Sequence, residues 1–225
     1  MFFLKVSMFF KNGLIRFSLL FFILISLWGC NEKQLIEKAP TILVVGDSLS
    51  AGYQIGLNKG WVNLMSNKLQ KENLQHNIIN ISVNGATTSD ALKAIKNGNY
   101  HNVDILVLAI GANDALKRVE PEISLKNIQS IINDIEAKSS PQILLINLQP
   151  PRQLGVFGLG MFQYRQIYTQ IRDKNTDYYY IDNLMKNLDN TNFLSDMIHP
   201  NISGQEIMLQ NVYPTIEKII KSNYK

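Results

Sequence analysis

At 225 residues, 46% of them hydrophobic and with only 7 prolines and 13 glycines, the chain can fold around one sizeable core and shows no collagenous or disordered bias. Its formal charge of +4 owes three positives, Lys5, Lys11 and Arg16, to the first 28 residues. The other 19 basic residues face 18 acidic ones with no dense basic cluster, so the pI near 9.0 is not a nucleic-acid footprint and no nucleic-acid partner is expected.

In chain order, the apolar run from Phe17 to Trp28, ending in Leu27-Trp28-Gly29-Cys30, reads as an export signal over residues 1–29. Cys30 is the only cysteine, so no internal disulfide can form. Its place just after the apolar run and a small residue resembles the lipobox of bacterial lipoproteins, in which the thiol carries diacylglycerol; Trp28 departs from the small residue usual there. An uncleaved signal anchor, which the apolar Met1 to Phe10 favours, and an unlipidated secreted protein are the alternatives, although 17–28 alone falls short of the about 20 residues that span a bilayer. All three place the folded domain outside the cytoplasm, in a periplasm or secreted, and the first two tie it to a membrane. Residues 30–40 form a polar tether, and 41–225 form the domain.

The domain alternates apolar runs with helical patterns. Strands are expected at 41–45, 78–81, 105–110, 143–146 and 178–181, with the continuous run Ile105 to Ile110 in the middle of the sheet. Helices are expected near Trp61–Leu69, over Ile123–Ile135, over 162–174 and over 203–221, the last kinked or interrupted by Pro214. Strands separated by single helices predict an α/β fold, a parallel sheet with helices on both sides. The stretch 149–160 is the longest without periodicity, and its Leu154, Val156, Phe157 and Leu159 read either as an apolar substrate rim or as side chains packed down on the scaffold.

Gly46-Asp47-Ser48-Leu49-Ser50 directly follows the first strand, which places Ser48 where a nucleophile belongs in an open α/β sheet. A serine hydroxyl needs a base to take its proton and a carboxylate to orient that base. Of three histidines, His76 and His101 sit in polar stretches before strands and read as solvated loop residues. His199 stands three residues after Asp196 and just before Pro200 and a helix start near Asn201 to Ser203; taken alone, the pair could equally be a turn cap and a surface residue. Asp47 is expected to brace the loop beneath Ser48. Acyl transfer also needs donors for the developing oxyanion. Gly85 and Asn113, each just past a strand, can supply them, or can serve only a positive-φ turn and a helix cap.

These four segments, Gly46-Asp47-Ser48-Leu49-Ser50, Asn84-Gly85, Gly111-Ala112-Asn113-Asp114 and Asp196-Met197-Ile198-His199-Pro200, resemble the four ordered blocks of the SGNH, or GDSL, hydrolase family. The extended Gly46 to Tyr53 is most similar to its thioesterase, lysophospholipase and arylesterase subgroup. The resemblance spans residues 41 to 220. It implies a three-layer α/β/α sandwich with a mainly parallel five-stranded, flavodoxin-like sheet, a triad of Ser48, Asp196 and His199, and an oxyanion hole of Ser48, Gly85 and Asn113. It further implies a serine esterase acting on small acyl esters, thioesters or lysophospholipids, with no metal or organic cofactor required; separately, the chain is expected to be a monomer, and Leu49, Leu154, Val156, Phe157 and Leu159 are substrate-pocket candidates. Ala112, where relatives often have glycine, and the loop 149–160 depart from the family. A carbohydrate O-acetylesterase of the same fold and a membrane-tethered, non-catalytic binding protein are the competing readings.

Overall fold

A computed structural model describes residues 39–148 and 156–224, with the backbone alone at 57, 156–163 and 165. The export signal, Cys30 and most of the tether lie outside the described residues, as do 149–155, with Leu154 among them.

Five apolar runs form strands: β1 Thr41–Gly46, β2 Asn77–Asn80, β3 Ile105–Ala109, β4 Gln142–Ile146 and β5 Tyr179–Ile181. They lie side by side in the order β2-β1-β3-β4-β5, every pair parallel, with Leu43 in register with Ile79 on one side and Leu106 on the other. The run expected in the middle of the sheet is its central strand. All of β3 is buried, as a strand covered on both faces must be. β2, bounded by Asn77 and Asn80, is largely exposed and takes an edge.

The helices, in chain order, are α1 Ser48–Ala51, α2 Trp61–Lys71, α3 Thr88–Asn97, α4 Ala112–Leu116, α5 Pro121–Glu136, α6 Val156–Lys174 and α7 Ile202–Asn223. Side chains alternate along a strand, so Ile42, Val44, Ile105 and Val107 enter one apolar layer with α2 and α7, while Leu43, Val45, Leu106 and Leu108 enter the other with α3, α5 and α6. This is the expected three-layer α/β/α sandwich. The crossover from β1 to β2 runs through α2 on one face and that from β3 to β4 through α5 on the opposite face. The connections leaving β1 and β3 therefore diverge and open a crevice at the carboxyl ends of the strands.

Three local expectations are revised. Helix α7 runs through Pro214 without interruption. An interior proline costs about 3 kcal/mol, whereas each fully buried aliphatic side chain contributes roughly 1.5–3 kcal/mol, and Val212, Ile216, Ile219 and Ile220 of this helix are all buried. Helix α6 begins at Val156, six residues before the expected start, and takes in Gly158 and Gly160. Glycine weakens a helix by about 1 kcal/mol per residue; here the turns carrying buried Tyr164, Ile167, Tyr168 and Ile171 supply the nucleus from which extension is cheap. His76 is half-buried rather than solvated, with one ring nitrogen 2.9 Å from Ser66 Oγ and the other 2.8 Å from the Leu74 carbonyl.

Candidate active site

Because β2, β1 and β3 are neighbours, the loops carrying Gly85, Ser48 and Asn113 leave the sheet side by side at the same end. Ser48 opens the one-turn helix α1. The fully buried Asp47 caps it, Oδ1 accepting from the Leu49 N–H at 3.0 Å while the Asp47 carbonyl accepts from Ser50 and Ala51. Leu49, expected near the substrate, is 6% exposed and packs in the layer with Trp61 and Met208.

Asp47 carries an electrostatic cost. Burial, opposed by the Leu49 N–H and reinforced by the charge of Asp114, raises its carboxyl from 3.8 to about 7, and Oδ2 has no hydrogen-bond partner among the described residues. A group whose pKa is higher in the folded than in the unfolded chain contributes stability below the unfolded value, here near 4, and loses it as pH rises through about 7. Asp47→Asn keeps the capping oxygen and removes the titration. Denaturation midpoints of this variant should fall less than those of the parent between pH 4 and 7, by an amount equivalent to a few kcal/mol; parallel pH curves would show that the Asp47 carboxyl does not titrate in this range.

His199 reaches Ser48 from a tight turn before α7. Asn201 caps that helix, its side chain accepting from the Gly204 N–H at 3.1 Å. The turn is closed by a bridge between Phe193 and Pro200 and by a 2.8 Å bond from the Leu194 N–H to the His199 carbonyl. Gly204 allows it to seat against the body, since a Cβ there would lie 2.4 Å from the Asn192 carbonyl oxygen. Asp196 Oδ1 accepts from the backbone N–H groups of Ile198 and His199, both at 2.9 Å, and Oδ2 lies 2.7 Å from His199 Nδ1. His199 Nε2 lies 2.9 Å from Ser48 Oγ. Burial alone would raise the Asp196 carboxyl; the bonds from the His199 backbone and ring and from Ile198 outweigh it and hold it below the usual carboxylate range. An ionised Asp196 fixes the tautomer with the proton on Nδ1, which leaves Nε2 free to accept from the Ser48 hydroxyl.

Gly85 has φ +74° and a Cβ added there would meet nothing within 4 Å, so backbone conformation rather than crowding selects glycine. Asn113, in the first turn of α4, donates one amide hydrogen to the Ala86 carbonyl at 3.0 Å, and Lys117 Nζ donates to the Gly85 carbonyl at 3.0 Å. These bonds lash the Gly85 turn to α4. Among the described residues the Ser48 and Gly85 N–H groups have no acceptor, and Asn113 has a second amide hydrogen to spare. The structure thus joins Ser48, His199 and Asp196 in one hydrogen-bonded chain, and Gly85 and Asn113 in a second cluster at the same sheet end. Val156, Phe157 and Leu159 fall in the first turns of α6, and their side chains lie outside what is described.

Several supporting residues have no role in the sequence reading. Fully buried Asp114 accepts from the Thr88 N–H at 2.8 Å, the Thr88 hydroxyl at 2.5 Å and the Ser124 hydroxyl at 2.8 Å, which pins the residue after Asn113 to the start of α3. The Tyr168 hydroxyl donates to the Ile110 carbonyl at 2.8 Å and accepts from the Ile110 N–H at 3.1 Å, fixing the end of β3. The sequence does announce α3, because Thr87 and Asp90 have capping-box spacing and the structure closes that box. Among the described residues no three His, Cys, Asp or Glu side chains are gathered as a metal site requires, and no helix is long and apolar enough to cross a membrane.

The model of the GDSL-like lipase/acylhydrolase family matches residues 44–207. The chain is similar to Esterase TesA of Pseudomonas aeruginosa, 26% identical over 203 residues that cover 85% of this chain and 96% of that protein. It is also similar to an arylesterase of Vibrio mimicus, 30% identical over 127 residues, 56% of this chain and 63% of the other. A crystal structure of TesA superposes with a TM-score of 0.71 at 24% identity, covering 80% of this chain and 99% of that one, which establishes the shared fold.

Proposed function

The chain belongs to the GDSL-like lipase/acylhydrolase family, and from that premise we propose that it is a serine esterase working through Ser48, His199 and Asp196 by way of an acyl-enzyme. The observation that carries this reading is the 2.9 Å contact of His199 Nε2 with Ser48 Oγ, made across 151 positions of sequence by a ring whose other nitrogen meets a carboxylate. Ser48 Oγ attacks the carbonyl carbon of an ester or thioester as its proton passes to His199 Nε2. The imidazolium is balanced by Asp196 through Nδ1–H. Negative charge gathers on the carbonyl oxygen, where the Ser48 and Gly85 N–H groups and the free amide hydrogen of Asn113 receive it. The tetrahedral adduct collapses, His199 returns the proton to the departing alcohol or thiol, and Ser48 keeps the acyl group. Water then repeats the sequence and releases the acid.

Esterase TesA and the arylesterase support carboxylic esters as the substrate class. A third similar protein, thioesterase 1/protease 1/lysophospholipase L1 of Escherichia coli, supports thioesters and lysophospholipids alongside them, at 28% identity over 118 residues, 52% of this chain and 55% of that protein. We further propose a periplasmic or secreted setting, with a membrane tether through Cys30 or the N-terminal apolar segment. The test of substrate class is a rate comparison across p-nitrophenyl acetate, octanoate and palmitate, with acyl-CoA and a lysophospholipid in parallel. Turnover of longer acyl groups supports the reading. A strong preference for acetate with no lysophospholipid turnover replaces it with O-deacetylation.

Removal of the oxyanion donor gives a separate expectation. Asn113→Ala should lower kcat by about 100-fold or more while leaving the triad geometry in place. A rate equal to the parent's takes Asn113 out of the oxyanion hole.

A further inference from the structure

We propose that Tyr53 is a positioning residue for His199: its ring face holds the imidazole in line with Ser48 and stabilises the positive charge that the imidazole acquires when it takes the serine proton. The proposal rests on the Ser48, His199 and Asp196 roles given above. The ring centroids of Tyr53 and His199 lie 4.2 Å apart with their planes 37° from parallel. His199 is therefore bounded on three sides, by Ser48 Oγ at Nε2, by Asp196 Oδ2 at Nδ1 and by Tyr53 over the ring.

Two of those three come from one turn of chain. Ser48 begins α1, Gly52 ends it with its N–H on the Ser48 carbonyl, and the Tyr53 N–H reaches the same carbonyl at 3.4 Å. The nucleophile and the aromatic face thus stand on one hydrogen-bonded piece of chain six residues long, with the base between them. Asp196 belongs to the same turn as His199, so its bonds orient the ring within that turn. That turn passes through Met197 at φ 55°, in the left-handed region, and Asp196 and Met197 stand away from the core. Tyr53 and Ser48 are the contacts that reach the ring from a different segment of the chain.

The face of an aromatic ring carries negative electrostatic potential, and a cation within about 6 Å of its centroid is attracted to it. Neutral imidazole gains little from this, whereas imidazolium gains most. The contact therefore favours the state formed on the way to each tetrahedral adduct over the resting state, which is the condition for lowering a barrier. The Tyr53 hydroxyl is turned to Gln54, whose Nε2 donates to it at 3.1 Å at the surface. The ring face should matter and the hydroxyl should not.

The experiment compares Tyr53→Phe, Tyr53→Leu and Tyr53→Met with the parent on p-nitrophenyl octanoate, reading kcat and KM separately. Phenylalanine should keep kcat within about 2-fold, while the aliphatic replacements should lower kcat about 10-fold with KM little changed. The proposal is overturned if leucine or methionine matches phenylalanine, if the loss falls on KM alone, or if phenylalanine is as damaging as leucine. Should neither aliphatic variant fold, phenylalanine still decides, since a 10-fold loss there assigns the effect to the hydroxyl. A parent chain without turnover and without fluorophosphonate labelling would remove the hydrolase reading itself, a failure distinct from any of these.

Discussion

Ser48→Ala should lower kcat on a p-nitrophenyl ester by about 10⁵- to 10⁶-fold while leaving the thermal midpoint close to that of the parent. The size of the loss follows from the unit to which the hydroxyl belongs. Without Oγ there is no acyl-enzyme, and His199 and Asp196 have nothing to activate; what remains is binding and the oxyanion donors. Stability should hold because Ser48 is only partly buried and its side chain makes one hydrogen bond among the described residues, to His199. The capping of α1 rests on Asp47 instead. Stopped-flow kinetics with calorimetry on the same samples separates the two effects. A variant that folds and retains more than about a hundredth of the parent kcat would show that another group attacks the carbonyl.

The second large effect is expected at Asp196. Asp196→Asn should lower kcat by about 10⁴-fold. Asparagine can still accept the Ile198 and His199 backbone N–H groups through one oxygen, so the turn should survive. Its amide nitrogen, placed where Oδ2 meets Nδ1 at 2.7 Å, donates where the ring also donates. The imidazole must then carry its proton on Nε2, facing Ser48, and cannot accept from the hydroxyl. Asp196→Ala should lose kcat as well and also loosen the turn, so the asparagine variant is the more informative. The carboxylate adds a pH dependence to stability. Because its folded pKa lies below 3.8, it contributes stability above that value and loses it as pH falls through the lowered one; the asparagine variant should lack this acid-side loss. A kcat within about 10-fold of the parent would reduce Asp196 to a turn cap.

These two residues were legible in the sequence because their signals are local. A buried run followed at once by Gly46-Asp47-Ser48 places a hydroxyl at a strand's carboxyl end, and Asp-x-x-His puts a carboxylate within one turn of an imidazole. The central strand was legible for a similar reason, since the fully apolar Ile105 to Ile110 had to be covered on both faces; the rest of the strand order, with 77–80 at an edge, was not read from the sequence. What escaped depends on contacts between distant segments. Tyr53 lies five residues after Ser48, yet its stacking on His199 follows only once α1 has turned it back over the crevice. Tyr168 and Asp114 act on Ile110 and Thr88 across 58 and 26 positions, and no spacing rule announces either. His76 looked solvated from its polar neighbours and is instead held by Ser66, ten residues earlier on α2. At Pro214 an interruption was expected from the residue's local preference, and the burial along α7 outweighs it.

If His199 makes Ser48 nucleophilic, covalent trapping of the hydroxyl will register it without any choice of substrate. The full chain is treated with a fluorophosphonate and the adduct is located by peptide mass spectrometry, with His199→Ala treated in parallel. One phosphonyl group per chain is expected, on Ser48, formed far more slowly in the His199→Ala variant. An adduct on a different residue, or labelling of Ser48 at full rate without the His199 imidazole, would contradict it.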